Sequence, residues 1–319
     1  MRVSVVIPAY NAAKTIRATL DSVSSQTEAP DEILVLDDGS TDQTASIVRS
    51  FGSAVTLFCQ PNCGAAKTRN KLCQLAKGKV IAFLDADDLW HPQYLEHQLD
   101  VLEEHKEAIG CFTGHVNFYG DGEHKWDTTK PARIAAPERI SELDFLKRYN
   151  AKPGFYNMSF FCARKSEIER LGTEPFQVHA AEDWFFFNSL ALLGDVVADP
   201  IPLVAYRIRE GSLSSDRIRL SRAIADACDI LEARLQVFPD KRLRRVVGLA
   251  CAAKRRLYAK VLLCNGNVPE ARRQLKHSWR NPGNIVSQIK SGVFLLLTYL
   301  PVLLHPDWLS GSPQWKGVR

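Results

Sequence analysis

The chain has 319 residues, of which 45% are hydrophobic and 24% are charged. This composition is that of a globular protein long enough for about two domains, and it excludes a disordered chain, a fibre and a small disulfide-stabilised domain. The formal net charge of +5 is unevenly distributed, because residues 217–319 carry 19 Lys or Arg against 6 Asp or Glu, whereas residues 1–216 are acidic. Such asymmetry indicates that the basic final third has a partner of its own.

Strand-like and helix-like segments alternate over the first hundred residues. Apolar, β-branched runs predict strands, helical spacing of apolar residues predicts helices between them, and the capping-box pattern Ser40-Thr41-Asp42-Gln43 predicts a helix start. The predicted strands are 3–7, 32–36, 55–59 and 80–84, and the predicted helices lie near 16–23, from 40, at 65–76 and after Pro92. Because this alternation is typical of parallel sheets, we expect a doubly wound α/β fold.

The remaining chain differs in pattern from the first hundred residues. Residues 111–216 predict a mixture of strands and helices, and residues 217–319 predict basic helices. We therefore expect a first domain at 1–216, with a nucleotide-binding half at 1–110 and an acceptor and catalytic half at 111–216, and a helical region at 217–319. The longest uncharged stretch, 291–306, is interrupted by Pro301 and is too short to predict a transmembrane helix. The eight cysteines form no CxxC pair, which favours buried, reduced thiols.

Acidic residues follow two of the predicted strands. Asp37-Asp38 ends the second strand and Asp85-Ala86-Asp87 the fourth. Ligands of open α/β sheets bind at the carboxyl ends of strands, and paired carboxylates suit Mg²⁺ or Mn²⁺ together with substrate phosphates. Helix capping and Asx turns remain the alternative for either cluster. The chain lacks both GxGxxG after its first strand and GxxxxGK[ST], which disfavours a dinucleotide dehydrogenase and a P-loop NTPase.

Four segments in order, and two looser ones after them, resemble the inverting family-2 glycosyltransferases of the GT-A fold. They are VSVVIPAYNAAKTIRATLDSVSSQT, EILVLDDGSTDQT, NCGAAKTRN, GKVIAFLDADDLWHPQYL and, more loosely, HAAEDWFFFNSLALLG with YRIREGSLSS. The resemblance implies a Rossmann-like mixed, mostly parallel sheet flanked by helices, followed by a helical C-terminal region. It does not extend over the final hundred residues.

The resemblance also implies roles for individual residues. Asp85 would lie near the ribose of the donor, Asp87 would hold a Mn²⁺ or Mg²⁺ ion that bridges the diphosphate, and Asp183 would be the catalytic base, assisted by Glu182. The residues of the nucleotide-sugar pocket would be Pro8, Ala9, Tyr10, Asp38, Asn62, Gly64, Arg69, Asp85 and Ala86. Further candidates for contact with the donor or the acceptor are Trp184, Arg207 and Ser212. For Trp184, packing within the protein is an equal alternative.

The function expected from these residues is metal-dependent, inverting transfer of a sugar from a nucleotide-sugar, a UDP-sugar being favoured. The acceptor would be a lipid-linked oligosaccharide or a surface polysaccharide. Two alternatives remain: a non-catalytic nucleotide- or glycan-binding partner of another transferase, and a nucleotidyltransferase. The second should carry a Gly-rich basic loop after its first strand, where this chain has Pro8-Ala9-Tyr10-Asn11.

The basic final third combines charge clusters with apolar runs. Lys or Arg residues concentrate at 241–245 and 254–256, and apolar residues at 246–253 and 293–304. This pattern favours peripheral contact with an anionic membrane, at the cytoplasmic face of the cell membrane. The alternative is a helical appendage that packs on the first domain or on a second subunit in a homo-oligomer. Nucleic acid is disfavoured because aromatic residues do not alternate with the charges.

Overall fold

The computed structural model of the chain describes residues 1–120, 124, 126, 135–151, 156–208, 217–236, 238–280 and 285–298. The chain divides into two compact units, Met1–Ser212 and Leu213–Arg319. The first unit contains the sheet, and the second is helical in its described part.

A mixed sheet forms the centre of the first unit. Its strands are β1 (Val3–Ala9), β2 (Glu32–Asp37), β3 (Thr56–Cys59), β4 (Val80–Phe83), β5 (Leu89–Trp90), β6 (Gly110–Tyr119), β7 (Glu138–Ile140), β8 (Phe161–Arg164) and β9 (Val196–Ile208). The strand order is β3-β2-β1-β4-β8-β6-β9-β5, with β7 also paired to β9. Strands β3, β2, β1 and β4 are parallel, as are β6 and β9, whereas β8, β5 and β7 pair antiparallel to their neighbours.

Helices flank the sheet, and the first four follow the order that the sequence predicts. They are α1 (Ile16–Ser24), α2 (Thr44–Arg49), α3 (Ala65–Leu75), α4 (Tyr94–Glu104), α5 (Glu142–Ala151), α6 (Lys165–Glu169) and α7 (Glu182–Leu190). Val5, Val6 and Ile7 of β1 are fully buried. A strand buried on both faces favours apolar residues at successive positions, which explains the largely apolar sequence of β1.

Two features differ from the sequence prediction. The expected capping box is wrong: α2 begins at Thr44 without a side-chain cap, because the Ser40 hydroxyl donates to the Asp37 carboxylate and accepts from the Asn11 N–H instead. Five of the eight cysteines are buried as expected, but Cys59 and Cys264 are exposed.

The described part of the second unit consists of α8 (Arg217–Gln236), α9 (Lys241–Cys264), α10 (Val268–Arg280) and α11 (Ile285–Leu297). Arg255 of α9 is buried, and its guanidinium donates to Asp229 and Glu232 of α8 and to Gln274 of α10. Alanine and leucine side chains, with one tyrosine, form a hydrophobic core in this unit: Ala225, Tyr258, Ala259, Leu262, Ala271 and Leu275. Among the described residues, no helix is long and apolar enough to cross a membrane.

The close approach of β6 to β8 depends on Gly110. A Cβ atom added there would lie 2.5 Å from the Phe161 ring and 2.6 Å from the Cys162 carbonyl oxygen. We expect Gly110→Ala to lower the free energy of unfolding by about 1 to 3 kcal/mol, because the methyl group overpacks the sheet. Urea unfolding followed by circular dichroism measures this loss.

Gly292→Ala in α11 is the matched control. Its added Cβ would make an ordinary contact, 3.8 Å from Trp279 Nε1, and alanine is the better helix former. We expect no loss of stability, and equal unfolding midpoints for the two variants would contradict the role given to Gly110.

Candidate active site

The site lies where β1, β2 and β4 end. These parallel strands place their carboxyl ends at one edge of the sheet, the ligand-binding edge of open α/β folds. Asp38 directly follows β2, and its N–H donates to the Ala9 carbonyl at the end of β1 over 2.8 Å. The ends of the first two strands are thereby joined.

The Asp38 carboxylate organises the loop that follows β3. It accepts from the backbone N–H groups of Cys63 and Gly64, over 3.0 and 2.8 Å, and from the Gln60 amide over 2.9 Å. Burial by itself would raise the pKa of Asp38, but these hydrogen bonds to the charged form outweigh it and hold the pKa below its usual value. Asp38 is therefore an ionised anchor for residues 60–64.

Two glycines allow the loops to approach each other. Gly39 has φ +77°, and a Cβ there would lie 2.8 Å from the Asn62 nitrogen. Gly64 has φ +90°, and a Cβ there would lie 2.7 Å from Nδ1 of His179. Tyr10 and Asn62 are exposed at this rim, whereas Pro8 is half-buried and Ala9 is buried. The structure thus brings the predicted residues after β1, β2 and β3 into one surface.

Arg69 of α3 joins the two halves of the site. Its Nη2 lies 2.6 Å from Asp85 Oδ1, after β4, and its Nη1 lies 2.6 Å from Glu182 Oε1, in the first turn of α7. The Arg69 side chain is only 7% exposed. This bridge connects the expected ribose carboxylate to the expected catalytic pair, although 113 residues separate Arg69 from Glu182.

The next residue, Asn70, fixes the segment that leads to Glu182 and Asp183, the predicted catalytic pair. Its side chain donates to the Phe176 carbonyl over 2.7 Å and accepts from the Phe176 N–H over 2.9 Å. Ala180 then adopts the left-handed conformation, with φ +68°, immediately before α7 begins. Glu182 and Asp183 occupy the first turn of α7, where exposed N–H groups and the helix dipole favour negative charge.

The acidic loop after β4 is held from three sides. The Asp85 N–H donates to Ser159 Oγ over 3.0 Å, and the Ala86 carbonyl accepts from Thr15 Oγ1 over 2.8 Å. Arg207 of β9 donates from Nε to the Asp87 carbonyl over 2.7 Å. These contacts restrain the loop backbone and leave the half-buried Asp87 carboxylate at the site.

Negative charge is concentrated around this loop. Burial, together with the charges of Asp87 and Asp85, raises the pKa of Asp88 well above its usual value. Burial and the adjacent Glu182 raise the pKa of Asp183 to about 6, although the Trp184 N–H and Arg69 act in the opposite direction. Tyr206 also has a raised pKa, from burial and from the same carboxylates.

This excess of carboxylates is compatible with a divalent cation. The buried Oδ2 atom of Asp88 has no hydrogen-bond partner, and Asp87 lies beside it. No group of three or more Asp, Glu, His or Cys side chains in the described ranges could hold a metal ion by itself. Mg²⁺ is commonly bound by one or two carboxylates plus substrate phosphates, so the residues present fit an ion that arrives with a diphosphate. Asp87 as its ligand stays a prediction.

The three residues named as further contacts have different environments. Trp184 is buried and donates from Nε1 to Asn150 Oδ1 over 3.0 Å, which favours the packing alternative. Arg207 is buried, donates to the carbonyls of Asp87 and Gly120, and lies 4.3 Å from the Phe118 ring centroid. A substrate contact of either residue stays a prediction. Ser212 lies outside the described residues.

Sequence reasoning missed several residues that build this site. Ser159, Asn70 and Tyr206 were not identified, since each contacts the site only through the tertiary fold. For Asn70 the sequence does carry a signal, because this residue directly follows Arg69 in the NCGAAKTRN segment.

Comparisons with known proteins identify the family and the fold. The sequence model of the protein family "Glycosyl transferase family 2" matches residues 4–169, just over half of the chain. The chain therefore belongs to glycosyl transferase family 2, and both the resemblance and the expected enzyme class, a glycosyltransferase, are confirmed. The matched range includes the acidic loop and ends before Glu182 and Asp183.

Two relatives illustrate the extent of the similarity. The putative teichuronic acid biosynthesis glycosyltransferase TuaG of Bacillus subtilis is 37% identical over 149 residues, which cover 46% of this chain and 57% of TuaG. WfgD of Escherichia coli, named UDP-Glc:alpha-D-GlcNAc-diphosphoundecaprenol beta-1,3-glucosyltransferase, is 31% identical over 224 residues, 68% of this chain and 81% of WfgD. The chain thus spans little more than half of TuaG and most of WfgD.

Solved structures share the fold. Residues 1–349 of S. aureus TarS, in complex with UDP-GlcNAc, match with a TM-score of 0.67 at 17% identity, covering 99% of this chain and 92% of that one. The mannosyltransferase PcManGT from Pyrobaculum calidifontis, in complex with GDP-Man and Mn²⁺, matches with a TM-score of 0.57 at 19% identity. The match covers 97% of this chain and 84% of PcManGT. The predicted fold class is confirmed.

Replacing Arg69 tests the charge bridge. Arg69→Met leaves Asp85 and Glu182 without their shared cation, so the free energy of unfolding should fall by about 1.5 to 3 kcal/mol. Because Arg69 lowers the pKa of Asp183, that pKa should rise from about 6. NMR titration of side-chain carboxyl carbons measures the shift.

The control is Arg49→Met, at the exposed end of α2. It should change neither the free energy of unfolding nor the pKa of Asp183. An unchanged Asp183 titration in Arg69→Met would mean that Arg69 does not act on the catalytic pair.

Proposed function

We propose that the protein transfers a sugar from a UDP-sugar to a lipid-linked oligosaccharide or polysaccharide, with inversion at the anomeric carbon. One observation carries this proposal: Arg69 joins Asp85, on the donor side, to Glu182, which precedes Asp183. In this proposal, one guanidinium holds the donor side through Asp85 and the first turn of α7, which carries the base, through Glu182.

The relatives support the choice of substrates. WfgD is named for a UDP-Glc donor and a diphosphoundecaprenol-linked acceptor, and the matching TarS structure contains UDP-GlcNAc. A lipid-linked acceptor resides in a membrane, so we place the enzyme peripherally at the cytoplasmic face of the cell membrane.

Asp183 is the proposed base. The hydroxyl of a sugar acceptor is a poor nucleophile until a carboxylate within hydrogen-bond reach accepts its proton. With a pKa of about 6, Asp183 is mostly ionised at neutral pH, and it is more basic than an ordinary aspartate. A single displacement by that hydroxyl, opposite the departing nucleotide, inverts the anomeric carbon.

The remaining residues position the donor and the base. Asp85 accepts hydrogen bonds from ribose hydroxyls, and Ser159 and Arg207 keep the acidic loop in place. Glu182 stays paired with Arg69 and orients the start of α7. A Mn²⁺ or Mg²⁺ ion held by Asp87 would supply Lewis-acid stabilisation of the leaving diphosphate.

Removing the proposed base should separate catalysis from binding. Asp183→Asn is expected to lower kcat about 10²- to 10⁴-fold, the usual contribution of a general base, with unchanged affinity for UDP. Asp144→Asn, in the first turn of α5, is the matched control and should retain activity. Wild-type turnover by Asp183→Asn would exclude it as the base.

The pH dependence follows from the raised pKa of Asp183. Its basic form is present above about pH 6 and is lost as the pH falls through that value. We expect kcat/KM of the wild type to decrease about tenfold per pH unit below pH 6. A flat profile between pH 4.5 and 7 would contradict this assignment.

The role of Asp87 is tested by calorimetry with UDP, with and without Mn²⁺. Binding should depend on Mn²⁺ in the wild type, and Asp87→Ala should abolish that dependence. Asp100→Ala, which removes an exposed carboxylate of α4, should behave as the wild type. Equal UDP affinity in the presence and absence of Mn²⁺ would contradict the metal assignment.

A further inference from the structure

Helix α11 presents large apolar side chains to solvent. Ile289, Val293 and Leu296 are 59%, 49% and 68% exposed. Their spacing of four and three residues places them on one face of the helix. Such a row differs from a single exposed apolar side chain, which is common and requires no explanation.

The opposite face of α11 is held partly by polar contacts. Ser291 is fully buried, with its hydroxyl 2.7 Å from Ser278 Oγ and 3.0 Å from Arg256 Nη1. The buried Thr298 hydroxyl, just beyond the helix end, accepts from Arg272 Nε over 3.2 Å. Phe294 and Leu295 also pack against the hydrophobic core. Helix α11 is therefore held on its inward face by both polar and apolar contacts, and it still presents aliphatic side chains outward, where an amphipathic surface helix usually carries polar residues.

Trp279 of α10 adds to the outward apolar surface. It is 51% exposed, and its Nε1 atom lies close to Gly292 of α11. An indole carries a large apolar body with one polar N–H, which suits the boundary between an apolar medium and water.

Basic residues accompany this surface. Residues 268–298 contain five Lys or Arg and one acidic residue, Glu270, a net charge of +4. Lys276 and Lys290 are exposed. Apposing two copies of this face would bring like charges together, whereas an anionic lipid surface complements both the charge and the apolar side chains.

We propose that Ile289, Val293 and Leu296, with Trp279 and the cations Lys276 and Lys290, form a docking surface for an anionic lipid bilayer. The aliphatic side chains insert at the boundary between headgroups and acyl chains, and the lysines contact lipid phosphates. This proposal rests on the membrane location given under the proposed function. The test of the docking surface requires neither donor nor acceptor, so a negative result would not bear on the proposed reaction.

The experiment measures co-sedimentation of the full chain with vesicles of phosphatidylcholine alone and of phosphatidylcholine with phosphatidylglycerol. The wild type should bind the anionic vesicles at least tenfold more tightly. The triple variant Ile289→Gln, Val293→Gln, Leu296→Gln should lose at least tenfold in affinity. The double variant Lys276→Gln, Lys290→Gln should lose about 30-fold, since each lysine near an anionic surface contributes about 1 kcal/mol. Glutamine preserves helix propensity, and circular dichroism verifies folding.

The matched control is Ile218→Gln on α8, which replaces an isoleucine that is 47% exposed and should bind as the wild type. Binding of the triple variant equal to that of the wild type overturns the proposal, as does failure of the wild type to bind anionic vesicles. The proposal is likewise overturned if the wild type forms a dimer and does not bind vesicles, and the triple variant is a monomer. That result would assign the face to a second copy of the chain.

Discussion

The arrangement of the active site depends on the bridge that Arg69 makes between Asp85 and Glu182. Carboxylates brought together at low exposure repel one another, and their pKa values rise unless a cation compensates. Arg69 lies 2.6 Å from two of them and is itself almost entirely buried. A planar guanidinium can donate to two carboxylates in fixed directions, whereas a lysine ammonium offers a flexible point charge.

The same helix supplies both the cation and the alignment of its partners. Asn70 of α3 clamps the backbone of Phe176, which leads to the start of α7, while Arg69 reaches across to the end of β4. Helix α3 thereby connects the end of β4 to the start of α7, the two places where the sequence predicts the donor site and the base. Arg69 does not pair with Asp87 or Asp88, and the raised pKa of Asp88 reflects burial and the crowding of carboxyl groups there. A divalent cation bound with the donor would offset this crowding.

The sequence predicted those strands and helices that depend on the local pattern of residues. The mostly buried strands β1, β2 and β4 appear as largely apolar runs. Asp38, Asp85 and Asp87 follow strand ends, so the sequence predicts the sheet edge at which the candidate site lies. Strand β9 was missed because Pro200 and Pro202 interrupt its pattern. The capping box failed because the Ser40 hydroxyl is used by Asp37 and Asn11. Contacts such as Arg69 to Glu182 exist only once the chain has folded, and no local pattern encodes them.

The most direct test of the central claim is a crystal structure of the protein with UDP and Mn²⁺. The account predicts ribose hydroxyls hydrogen-bonded to Asp85, the cation on Asp87 beside the diphosphate, and Glu182 still within hydrogen-bond distance of Arg69. A nucleotide bound away from the carboxyl ends of β1, β2 and β4, with the Arg69 bridge unrelated to it, would contradict the account.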